Sequence, residues 1–73
     1  MFSVRMSEVG DQKQSILLDH HYNSVGDALI AARARCRQIF DEERFTFTEI
    51  TRNVFMIKRN GKNSGLITLT DEQ

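Results

Sequence analysis

Residues 24–44 read SVGDALIAARARCRQIFDEER, and this stretch decides the fold because it is the one convincing helix in the chain. Ser24 is a good N-cap, since its hydroxyl can accept from the unsatisfied N–H groups of the first turn. Asp27 places negative charge at the positive end of the helix dipole. No proline interrupts the run, and its alanines, Leu29 and arginines are strong helix formers. Val25, Leu29, Ala32, Cys36, Ile39 and Phe40 recur on a 3.6-residue period and form one apolar stripe, with Ala28 at its edge. Arg33 and Arg37 flank the stripe on one side and Arg35 on the other, where their stems cover its rim and their charges stay wet. The helix is expected to end near Glu43.

Outward from the helix, everything reads as β-structure. Residues 2–9 alternate, with Phe2, Val4 and Met6 on one side and Ser3, Arg5 and Ser7 on the other. Residues 10–14 are a polar turn, and residues 15–22 form a second strand with Ile16, Leu18, His20 and Tyr22 in phase. After Arg44, residues 45–51 alternate and are rich in aromatic and β-branched side chains. Residues 51–53 form a turn or a bulge. Val54, Phe55, Met56 and Ile57 are a continuous apolar run suited to a central strand. Residues 58–65 read as a turn containing Asn60-Gly61, a pair that accepts the positive φ angles of hairpins. Residues 66–70 close the chain as a strand, and residues 71–73 should fray. The expected fold is α+β: one domain over residues 1–73, element order β-β-α-β-β-β, a small antiparallel sheet with one amphipathic helix on one face.

Size and charge bound the function. The chain has 73 residues, and a single core of that size rarely supplies more than ~3–5 kcal/mol. Cys36 is the only cysteine, so no disulfide can form within the chain. A partner chain is then the natural source of extra stability. No basic region followed by an apolar run opens the sequence, and no segment approaches ~18 apolar residues, so neither an export leader nor a membrane span is expected. A lone cysteine without an export signal points to the cytoplasm. Net charge is zero, which gives no overall pull toward nucleic acid or anionic lipid. Residues 33–62 nonetheless hold eight basic against four acidic side chains.

The chemistry-bearing residues mostly have structural readings. Asp19, His20 and His21 are adjacent, but neighbours on a strand point to opposite faces, so the two histidines do not share a metal. Asp19 and His21 share one face, with His20 under the helix or at the sheet edge. Cys36 sits mid-helix in phase with the stripe, where a small hydrophobe belongs and an activated thiolate does not. No Cys-x-x-Cys, phosphate loop or nucleophile elbow is present. No catalytic residue, metal ligand or cofactor is therefore assigned, and the chain is not expected to be an enzyme.

The surplus of apolar residues is the better guide. Both phases of several strands are apolar, and one helix cannot cover both faces of a sheet. Leu17, Phe55 and Ile57 are assigned to the uncovered face, and Ile30 lies on the helix away from its stripe. Large exposed apolar patches mark contact sites. These four residues are the expected partner interface of a non-enzymatic binding module: an adaptor, inhibitor or accessory factor. It is expected to self-associate as a homodimer through the sheet face or an edge strand. An alternative is nucleic-acid binding by Arg33, Arg37, Arg52, Lys58, Arg59 and Lys62, with Tyr22 or a phenylalanine of residues 45–55 offering a stacking surface. A second alternative is a small-ligand binder or enzyme using Asp19 and His21.

Overall fold

A computed structural model describes residues 1–10, 15–41 and 44–72. The expected turn at residues 11–14, the acidic pair Glu42 and Glu43, and Gln73 lie outside that set. The elements are β1 (Phe2–Ser7), β2 (Ile16–Leu17), α1 (Val25–Phe40), β3 (Phe45–Thr51), β4 (Val54–Arg59) and β5 (Lys62–Asp71). The strands form one five-stranded antiparallel sheet in the order β2-β1-β5-β4-β3, with α1 packed over β1 and β5 on one face. The α+β fold with a small sheet and one helix is as expected.

Ser24 caps α1 as its residue type suggests, its Oγ accepting from the Asp27 N–H at 3.1 Å. The helix stops at Phe40, short of Glu43, because Asp41 takes the left-handed conformation at φ 54° and its N–H bonds back to the Arg37 carbonyl. Aspartate enters that region more readily than most residues. Ala28, Ala32 and Cys36 are fully buried, whereas Val25, Leu29, Ile39 and Phe40 are partly buried around them. The contact line is therefore made of small side chains, and Ala28 belongs to it instead of lying at its edge.

Small residues on the helix leave the sheet to fill the core. Val4, Met6, Ile57, Ile67 and Leu69, with Phe55 and Phe45, do so. The assignment of Phe55 and Ile57 to the uncovered face is corrected here. Phe55 pairs with Ile67, and Phe47 pairs with Ile57, so both residues share the helix-side phase, 8% and 0% exposed. Val54 and Met56 take the outer phase instead. The apolar run alone cannot set the phase; the register against β5 does.

The hairpins are tighter than expected. Asn60 and Gly61 both have positive φ, 54° and 76°, a two-residue turn that suits the twist of the flanking strands. Lys58, Arg59, Lys62 and Asn63 consequently lie on the ladder, with Lys58 opposite Asn63 and Arg59 opposite Lys62. A Cβ at Gly61 would meet nothing within 4 Å, so only the backbone opposes a side chain there. Gly61→Ala should cost about 1 kcal/mol, read as a loss of about 4–8 °C in thermal melting.

Residues 8–10 extend β1 irregularly. Glu8 has φ 55°, which turns Val9 into the core at 0% exposure. The Gly10 N–H then donates to the Ser64 carbonyl at 3.0 Å. Val9 lies over Gly65, whose φ of 144° and missing side chain make room for it.

β2 is shorter than the expected strand over residues 15–22. Leu17 opposes Arg5 and Tyr22 opposes Phe2, so five steps on this segment span three on β1. The excess bulges out at Asp19, His20 and His21, all exposed. His20 therefore lies outside the core instead of under the helix.

Candidate functional site

The face opposite the helix is bare among the described residues. Cross-strand pairs place Arg5 beside Leu17 and Thr68, Thr68 beside Val54, Leu66 beside Met56, and Thr48 beside Met56. Val54, Met56 and Leu66 are partly buried by their neighbours, and Leu17 is 55% exposed. This face is a mixture of threonines and aliphatics, with Arg5 on β1 and Lys58 on β4 as its cations. Ile30 is 69% exposed on the outer side of α1, on the far side of the molecule from Leu17. The four expected interface residues thus divide three ways: Leu17 on the outer sheet face, Ile30 on the helix, and Phe55 with Ile57 in the core.

The six basic residues do not form one surface. The Arg33 guanidinium stacks over the Phe45 ring at 4.7 Å, and Arg59 stacks over Phe40 at 4.2 Å. Phe40 meets Phe45 edge-on at 5.6 Å, and Phe45 lies 5.8 Å from Phe47. Each cation–π contact is worth about 0.5–2 kcal/mol, so these arginines seal the aromatic end of the core. Arg37 lies on the same helix flank as Arg33. Lys58 faces the outer phase opposite Thr46, while Arg59 and its cross-strand partner Lys62 take the helix-side phase. Arg52 sits in the turn between β3 and β4, a strand length of about 17 Å from Arg59. Phe45, Phe47 and Phe55 stand on the helix side, so the outer face carries none of the phenylalanines weighed for base stacking.

Asp19 and His21 do line one cleft, of about 470 Å³, with Arg5, Leu17, Thr70 and Glu72 on the outer side of the β2–β1–β5 end. His21 Nε2 pairs with the Glu72 carboxylate, both side chains about half exposed. Glu72, whose N–H also donates to the Met1 carbonyl at 2.7 Å, was not singled out in the sequence, because nothing local links it to His21. The pair ties the bulge after β2 to the end of β5. Exposed ion pairs contribute little, so His21→Ala should lower stability by no more than about 1 kcal/mol, measured by urea denaturation. A larger loss would mean that the clamp holds more of the fold than its exposure implies.

Cys36 is fully buried. Burial pushes its thiol up from 9.0 to about 11, against the opposite pull of Arg33. The thiolate is the reactive form, so Cys36 is built to be inert. A disulfide reagent near neutral pH should modify it only after denaturant is added; stoichiometric reaction of the native protein would contradict its placement. The thiol holds its proton more tightly when folded, so its contribution to stability is complete below pH 9 and is lost as pH rises toward 11.

Among the described residues no cluster of three or more histidine, cysteine or acidic side chains is arranged to hold a metal, and no helix is long and apolar enough to cross a membrane. Comparison with protein families, curated proteins and solved structures finds no match to this chain.

Proposed function

We propose that this chain is a small, non-enzymatic protein-binding module that works through the surface its single helix leaves uncovered, as an adaptor, inhibitor or accessory factor. One observation supports the reading above others. Among the described residues, five strands are served by one helix that packs over β1 and β5, and the whole outer face is left without a second layer. Antiparallel sheets can leave one face to water, but apolar side chains gathered on such a face mark contact sites, and Val54, Met56 and Leu66 lie together on this one. The basic residues favour a structural role, since Arg33 and Arg59 are stacked on core aromatics. The Asp19–His21 cleft is open and its imidazole is committed to a surface carboxylate.

Capture of the native protein from lysate, with mass spectrometry and nucleic-acid detection on one eluate, tests this reading. Protein partners, or the chain itself, are expected with wild type and lost with Met56→Lys or Glu49→Arg. Both positions lie outside the core, so circular dichroism should be unchanged. Salt-sensitive nucleic acid in the eluate, with no protein, would overturn it.

A further inference from the structure

The sheet has two edges of different character. The β2 edge is two residues long and ends in the Asp19–His21 bulge, clamped by Glu72. Short and bulged edges resist further pairing. β3 is the opposite: seven residues, Phe45–Thr51, with no proline or lysine, and, among the described residues, paired with β4 on one side alone. Its register is regular from Phe45 to Glu49 and breaks only at Ile50. Such a strand presents a row of unpaired backbone groups and is a template for another strand.

We infer that β3 pairs antiparallel with β3 of a second copy, in the register that sets Phe47 opposite Phe47. Self-pairing of this kind is one form of the protein binding proposed above and rests on it. A two-fold axis normal to the sheet keeps both helices on the same face, which restricts directly opposed residues to the same phase. In this register Thr46 of one copy faces Thr48 of the other on the outer side, a favourable cross-strand pair. On the helix side the two Phe47 rings meet at the axis, and Phe45 faces Glu49 of the second copy.

That last pair carries the argument. Phe45, Phe47 and Glu49 all occupy the helix-side phase, through their partners Arg59, Ile57 and Phe55. Arg33 reaches out from α1 to lie over the Phe45 ring at 4.7 Å. Opposed Cβ atoms on antiparallel strands are about 4.5–5.5 Å apart, so Glu49 of the second copy arrives beneath Arg33. Symmetry makes the contact twice. Among the described residues Glu49 makes no ion pair inside its own chain, so its carboxylate is available. Shifting the register to put Thr48 opposite Thr48 removes this match and sets Arg44 against Arg52. The exposed Ile50 supports the choice as well. It falls opposite Arg44, beside the hollow lined by Arg44, Phe45, Thr46 and Lys58.

Sedimentation equilibrium of the full chain across micromolar concentrations tests the inference. Wild type is expected to reach twice the 8.5 kDa chain mass. Glu49→Arg and Arg33→Glu should each weaken the dimer by about tenfold or more, because two symmetric contacts are reversed. The combined R33E/E49R chain should recover most of the loss, which a merely structural role for either residue does not explain. Circular dichroism of each variant confirms the fold. A wild-type monomer throughout overturns self-pairing, as does a dimer indifferent to Glu49→Arg. Capture of another protein by such a monomer would leave the broader binding reading standing, whereas capture of none would remove both.

Discussion

Gly65→Val should leave the chain largely unfolded at room temperature. Two penalties coincide at this position. Its φ is 144°, a region L-residues rarely enter, and a Cβ there would stand 3.0 Å from Val9 Cα, 3.1 Å from Val9 Cγ2 and 3.2 Å from Ile57 Cδ1. The nearest atom is backbone and cannot swing away. Strain of this kind costs about 1–3 kcal/mol, and overpacking a tight core adds about 1–3 more. A domain this small has only ~3–5 kcal/mol to lose. Gly65→Ala should show the same defect in milder form. The comparison with Gly61→Ala is informative, since Gly61 shares a positive φ but faces open space. If the two alanine variants melt alike, the close approach of Val9 to Gly65 is not what holds the β1–β5 junction.

Ile57→Ala should cost about 2–5 kcal/mol, while Met56→Ala should cost about 1 kcal/mol or less. Ile57 is fully buried in the core cluster that also holds Ala28, Ala32 and Cys36, and its truncation leaves a cavity there. Met56 faces the opposite side and is partly screened by Leu66 and Thr48. Chemical denaturation of both variants ranks them. A reversed ranking would place Val54 and Met56 in the core and return Phe55 and Ile57 to the outer surface.

This phase was the main thing hidden in the sequence. In the run from Val54 to Ile57 both alternations are apolar, so periodicity carries no information about which side faces the helix. What could have decided it is volume. Ala28, Ala32 and Cys36 give the helix a thin contact line, and a thin line asks for large side chains below it, which Phe55 and Ile57 supply better than Val54 and Met56. The helix itself was legible, because capping by Ser24 and the 3.6-residue period are local signals. The β4–β5 turn was located by Asn60-Gly61, but its extent was overdrawn, since charged residues such as Lys58 and Lys62 look like loop and in fact lie on an exposed ladder. The bulge at Asp19–His21 and the left-handed Glu8 have no strong local signature. Both arise from tertiary demands, Tyr22 pairing with Phe2 in one case and Val9 entering the core in the other. The His21–Glu72 pair was invisible for the same reason, and so was the edge position of β3, which follows from strand order.

The β3 side of the sheet, and not the basic hairpin or the Asp19–His21 cleft, is where this account places function. Amide chemical shifts of the isotope-labelled native chain, followed through a dilution series, test that placement most directly. Concentration-dependent shifts are expected at residues 45–49 and around Arg33, with β1 and β2 quiet. Shifts that gather instead at Asp19, His21 and Glu72, or a spectrum that does not change with concentration, would contradict it.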